Sequence, residues 1–234
     1  MPIKLVVFDM AGTTVADESG VMDTFKSSLA KYGYDVPLHE IAPLMGYEKK
    51  LAIRTMLERH EADPNKSTDK LVSAIHQYFV DTLVNHYRNA TDLEALPNAE
   101  ETLLYLREQG IKVGLNTGFS RIIADSIINN LKWRERGLFD YMICSDEVPA
   151  GRPDPAMIHY IMKEAGVTNP AEVAKVGDTE VDINEGKNVG CKYIIAVTTG
   201  AFTREQLETY QPTHIIDNIA DVVAIVTEKS DAIA

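Results

Sequence analysis

The chain has 234 residues, 45% of them hydrophobic and 25% charged, a composition that suits a globular protein able to bury a real core in one domain or two. Its net charge of −12 and the lack of any basic stripe argue against nucleic acid or an anionic membrane surface as the main partner. No apolar run approaches the length of a membrane span. Because Met1-Pro2-Ile3-Lys4 leads straight into a strand, no secretory leader and a cytoplasmic location are expected.

The first predicted element is the strand Ile3 to Phe8, nearly continuous in apolar residues, as expected of a parallel strand buried on both faces. Asp9 ends it and opens the run Asp9-Met10-Ala11-Gly12-Thr13-Thr14. A carboxylate at the carboxyl end of a buried strand sits where open α/β sheets place their ligands, although an Asp after a strand is as often a plain turn residue. From about Ser19 to Ala90 the pattern is helical. Val21, Phe25, Leu29 and Tyr32 recur at helical spacing until Gly33; Ala52, Ile53, Met56 and Leu57 form a second face. Asp63-Pro64 is a turn, and Leu71, Ile75, Tyr78, Phe79 and Leu83 form a longer amphipathic helix.

After Pro97 strands and helices alternate. Helices are expected over 98–109, 120–131, 154–165 and 180–189, and strands over 111–116, 141–144, 173–177 and 193–198. Thr203 and Gln206 have the spacing of a capping box for another short helix; Ile215-Ile216 reads as an edge strand and 218–227 as a closing helix. This alternation predicts a doubly wound parallel α/β sheet, Rossmann-like, with an all-helical cap inserted after the first strand. The division is a discontinuous core, 1–15 and 95–234, and a cap, 16–94. Cys144 and Cys191 lie in or beside apolar segments and read as buried thiols of a reducing compartment. The six histidines lack paired ligand spacing, which disfavours zinc.

Three later segments carry polar groups of their own. Asn116-Thr117-Gly118 follows one strand, and Gly177-Asp178-Thr179-Glu180-Val181-Asp182 follows another. Between them Val148-Pro149-Ala150-Gly151-Arg152-Pro153 presents a single arginine. Each has a bland reading: Thr117 as a helix cap, Arg152 as a surface cation, Asp178 and Asp182 as acidic residues at a helix N-terminus. In this order, however, carboxylate, hydroxyl, cation and acidic pair resemble the four motifs of the haloacid dehalogenase-like hydrolase superfamily, over the whole chain. Asp-Met-Ala-Gly-Thr-Thr and Val-Pro-Ala-Gly-Arg-Pro resemble its phosphonatase branch more narrowly.

The resemblance implies a Mg²⁺-dependent hydrolase in which Asp9 attacks a phosphoryl group and becomes an aspartyl phosphate. Asp9, the backbone carbonyl of Ala11, Asp178 and Asp182 would hold Mg²⁺, a hard cation that prefers oxygen donors. Thr117 and the Gly118 amide would bind phosphoryl oxygens, and Arg152 would neutralise charge. Most superfamily members carry a general acid at the position of Ala11; the phosphonatase branch replaces it with a cap lysine that forms an imine with the substrate aldehyde. Met45-Gly46-Tyr47-Glu48-Lys49 matches that branch's Met-Gly-x-x-Lys, making Lys49 the candidate, with Lys50 a one-residue alternative and two solvated charges the bland reading. The branch's histidine and tyrosine are here Ala52 and Phe119. The expected substrate is therefore a small phosphonate or phosphate ester, with an ordinary phosphatase whose Lys49 only binds substrate as the alternative. An inactive binding protein ranks lower because the motif residues are all present. A phosphomutase would need the missing acid, and a dehalogenase would not need the acidic pair. The resemblance also implies a homodimer through the cap, in which Val21, Phe25 and Leu29 serve as core or as interface.

Overall fold

The computed structural model describes residues 1–16 and 20–227. Among them six strands form one parallel sheet in the order β3-β2-β1-β4-β5-β6: β1 Leu5–Phe8, β2 Lys112–Thr117, β3 Tyr141–Cys144, β4 Val173–Gly177, β5 Tyr193–Val197 and β6 His214–Ile216. The order reverses at β1, with β2 and β4 as its parallel neighbours. This is the switch point at which an open α/β sheet leaves a crevice beyond its strand ends. The fold predicted from alternation is thus the fold observed.

Alternation within β1 assigns the two faces. Leu5 and Val7 point into a cluster with Met157, Ile158 and Ile161 of α7 (Ala156–Ala165) and Ile183 of α8 (Glu180–Val189). Val6 and Phe8 point the other way, toward Leu103 and Leu106 of α5 (Ala99–Glu108) and Ile123 and Ile127 of α6 (Arg121–Asn130). The sheet is closed by α9 (Arg204–Thr209), which starts at the capping box of Thr203 and Gln206, and by α10 (Asp221–Thr227).

Between β1 and α5 come α1 (Gly20–Lys31), α2 (Leu38–Ile41), α3 (Lys49–His60) and α4 (Asp69–Asn89). The helical reading from Ser19 begins outside the described residues; from Gly20 it holds. Phe25 meets Phe79 edge to face at 5.9 Å, an aromatic pair that ties α1 to α4. Ala52, Ile53, Met56 and Leu57 are all buried, as their spacing predicts. Tyr32 is not part of the α1 face: it lies beyond the helix end and is exposed, its hydroxyl donating to the Ala74 carbonyl. Val21, Phe25 and Leu29 are core residues of the chain itself, which removes them as an interface. The helical insert shares one continuous apolar cluster with the sheet face that carries α5 and α6. Both cysteines are buried and unpaired.

Candidate active site

The strand ends converge as the motifs require. Asp9 follows β1, Thr117 ends β2, Asp178 follows β4, and Arg152 arrives from the β3–α7 loop; all four are buried and line one cavity of about 330 Å³. The chain turns sharply after Asp9 at Gly12, whose φ is +78°. A Cβ there would lie 2.7 Å from Asp178 Oδ2 and 2.9 Å from the Gly200 backbone, so only glycine lets the turn pass this close. Thr14 donates to the Asp9 carbonyl at 3.0 Å, while Thr13 reaches across to Asp178 Oδ1 at 3.3 Å. The Ala201 amide donates to Asp178 Oδ2 at 2.7 Å.

Arg152 is the hub. Its Nη1 lies 2.5 Å from Asp9 Oδ1 and 2.6 Å from Asp182 Oδ1, and its Nη2 donates to the Gly46 carbonyl at 2.8 Å. Its Nε is buried without a partner among the described residues. The surface reading of this arginine therefore fails; at 3% exposure it belongs to the interior. Asp182 fulfils its helix N-terminal reading and also faces the cavity's cations. Its Oδ2 accepts from the Thr179 amide and hydroxyl, closing a capping box at the start of α8, while Oδ1 faces Arg152 and Lys175. The Thr117 hydroxyl accepts from the Phe119 amide at 3.1 Å, so it is not the cap of α6; that position is Ser120.

Burial governs the electrostatics. It pushes Asp9 up from the ordinary carboxylate range, against the pull of Arg152. It pushes Asp178 up to about 8, and the Asp9 and Asp182 charges add to that shift. Asp182 is held below the ordinary range despite burial, because Lys175 and Arg152 flank it. Oxygens of Asp9, Asp178 and Asp182 lie within 4.8 Å of one another. When ionised together, the carboxylates of Asp9, Asp178 and Asp182 outnumber the two cations beside them, Arg152 and Lys175, and a bound cation would favour that ionised state. Hard oxygen donors with uncompensated charge, beside the carbonyl-bearing turn at Ala11, fit a small divalent cation such as Mg²⁺.

The helical insert supplies the cavity's other wall: Val21, Met22, Met45, Gly46 and Lys49. Lys49, at the first turn of α3, is 4% exposed, its Nζ donating to the Tyr47 carbonyl at 3.1 Å and lying 6.0 Å from the centre of the Phe119 ring. Lys50 is exposed, which settles which of the two faces the site. The loop before α3 presses directly on the core. A Cβ on Gly118 would come within 2.7 Å of the Gly46 carbonyl oxygen. Tyr47 donates its hydroxyl to Glu180 of α8 at 2.6 Å, which with burial raises the phenol well above its usual range.

Motif reading misses one set of residues. Lys175, in the middle of β4, is wholly buried; its Nζ donates to Asn116 Oδ1 at 2.6 Å and lies 3.0 Å from Asp182 and 3.4 Å from Glu185. The available signal is a lysine inside an otherwise apolar central strand.

Comparison with known proteins places the fold in a family. The chain is 32% identical over 202 residues to a phosphonoacetaldehyde hydrolase of Latilactobacillus sakei subsp. sakei, a match covering 80% of this chain and 73% of that one. Another from Bacillus cereus is 29% identical over 239 residues, covering 94% and 86%. Among solved structures, a phosphonoacetaldehyde hydrolase-like protein from Oleispira antarctica superposes with a TM-score of 0.79 at 22% identity, covering 97% of this chain and 92% of that one. A hydrolase from Pseudomonas syringae gives 0.82 at 17% identity, covering 96% and 97%. The profile described as haloacid dehalogenase-like hydrolase matches residues 6–196, and this chain belongs to that family of hydrolases.

Proposed function

We propose that the protein is a cytoplasmic, Mg²⁺-dependent hydrolase that works through an aspartyl phosphate at Asp9 and releases phosphate from a small phosphonate. The observation that carries this reading is the pairing of Ala11, where a general acid would stand, with Lys49, the one titratable side chain that the helical insert contributes to the cavity among the described residues. Two unpaired thiols suit a reducing compartment. The residues of 16–94 act as a cap over a core formed by 1–15 and 95–234.

The phosphoryl group would lie beside Asp9 with its oxygens on the Thr117 hydroxyl, the Gly118 amide and the unpartnered Arg152 Nε. Asp9, the Ala11 carbonyl and Asp178 would hold Mg²⁺, with Asp182 beside them; the ion supplies the charge neutralisation that lets a carboxylate approach a phosphoryl anion. Lys49 first condenses with a carbonyl of the substrate, losing water, to give a protonated imine. An Asp9 oxygen then bonds to phosphorus as the C–P bond breaks, and its electron pair moves to the imine nitrogen, giving an enamine. Water hydrolyses the aspartyl phosphate, and protonation and hydrolysis of the enamine free Lys49. Phe119 adds an apolar wall with no hydrogen-bonding tip, so orientation of the carbonyl falls to Lys49. Closure by the Gly46–Tyr47 loop excludes bulk water.

The second reading, a phosphatase in which Lys49 only binds the substrate, is favoured by the same Phe119 and by Ala52, which lack the polar groups of the phosphonatase branch. Phosphate release from phosphonoacetaldehyde with Mg²⁺, beside a panel of phosphate esters, separates the two. The phosphonatase reading expects release that is lost in Asp9→Asn and Lys49→Ala, with borohydride trapping substrate on Lys49. Release only from esters, dependent on Asp9 and with Lys49→Ala raising KM alone, makes the protein a phosphatase. A homodimer through the cap would rely on exposed Leu38 and Leu51, because Val21, Phe25 and Leu29 are committed to the core; sedimentation of Leu51→Glu beside wild type tests it.

A further inference from the structure

We infer that Lys175 is a positioning residue for the reaction: it holds the Asp182 carboxylate in place so that Arg152 is free to engage the phosphoryl group. This rests on the phosphoryl-transfer reading above.

Arg152 has competing partners. In the structure its Nη1 is shared between Asp9 Oδ1 and Asp182 Oδ1. To bring Nε and a neighbouring Nη together onto phosphoryl oxygens, the guanidinium must turn partly away from that pairing. Asp182 is 1% exposed, so losing its cation would leave a buried, uncompensated carboxylate, which is costly. Lys175 removes that cost. Its ammonium sits 3.0 Å from the same oxygen, Oδ1, on the side supplied by β4.

The lysine is itself fixed from below. Asn116 Oδ1 accepts from Lys175 Nζ at 2.6 Å, and the Asn116 amide nitrogen donates to both oxygens of Glu185, at 2.8 and 2.9 Å. Glu185 returns to Lys175 at 3.4 Å. All three side chains are fully buried, so the ammonium has a single resting place. Lys175 and Glu185 balance each other in charge, which means the pair adds no net charge beside the cavity. What it adds is a second, immobile cation at Asp182.

The test uses three variants. Glu185→Gln keeps Lys175 on Asp182 and should retain kcat within about threefold. Lys175→Met leaves Glu185 without its cation and Asp182 with Arg152 alone, and is expected to fold poorly. Lys175→Met combined with Glu185→Gln keeps the net charge and lets the amide introduced at position 185 pair with the Asn116 amide, so the double variant should fold. The inference expects it to lose 100-fold or more in kcat, with KM for the substrate and the melting temperature near those of Glu185→Gln. It also expects orthovanadate, a mimic of the pentacoordinate phosphorus that Arg152 must clasp, to inhibit the double variant at least tenfold more weakly. A double variant with wild-type kcat and vanadate inhibition overturns the assignment of Lys175 while leaving the proposed reaction intact. Wild type and Glu185→Gln that release phosphate from no phosphonate or ester overturn both.

Discussion

The two walls of the cavity are built on opposite principles. The wall from the strand ends is dense in buried charge, with Asp9, Asp178, Asp182 and Arg152 fixed by hydrogen bonds to one another and to neighbouring turns. The wall from the helical insert is apolar apart from Lys49. Charge that must develop and dissipate at a phosphoryl group needs preorganised partners, and a sheet edge supplies rigid ones. Selection among small organic groups needs shape and one reactive or charged end, and helices on loops supply those. The expectation is that changes to the first wall act on kcat and changes to the second act on KM, unless Lys49 forms a covalent bond.

That contrast can be broken most sharply at Asp9. Asp9→Asn preserves shape and removes the proposed nucleophile, so phosphate release should fall by at least ~10³-fold with substrate binding retained. Arg152→Lys keeps one positive charge but cannot reach Asp9, Asp182 and the Gly46 carbonyl together; kcat should fall by about 10- to 100-fold, and KM should rise because the insert loses a tie. Tyr47→Phe removes only the hydrogen bond to Glu180. Steady-state kinetics should show KM up by about three- to tenfold and kcat nearly unchanged; a large fall in kcat would mean the insert takes part in the chemistry. The smallest expected effect is on stability without metal. Asp9, Asp178 and Glu185 are all raised above their unfolded values, Asp178 to about 8. The folded state then binds more protons than the unfolded state between the ordinary carboxylate range and about pH 8, so stability falls as pH rises through that window. In EDTA the melting temperature should decline by a few degrees from about pH 5 to 8, and Mg²⁺ should recover most of it at the upper end.

The α/β core is legible in the sequence because its strands are nearly continuous runs of apolar residues and its helices carry capping signals, as at Thr179 and Thr203. The position of Asp9, Thr117, Arg152 and Asp178 at strand ends or beside them follows from the same punctuation. What pattern does not supply is direction. Lys49 and Lys50 are indistinguishable by composition, and only the phase of α3 turns one inward and the other out. Periodicity places Tyr32 on a helix face because the pattern continues one residue past the helix end. The Lys175, Asn116 and Glu185 set joins β2, β4 and α8 across 59 and 69 residues of chain, a link that spacing along one element does not encode.

The planar head of Arg152 spans both walls, one nitrogen on Asp9 and another on the insert's backbone. A rigid fork cannot satisfy both ends unless the loop at Gly46 is seated. On the proposed reading, sealing the chamber and arming Asp9 would then be a single geometric event: a loop displaced at Gly46 would cost Arg152 one end of its fork and loosen its hold on Asp9 at the other.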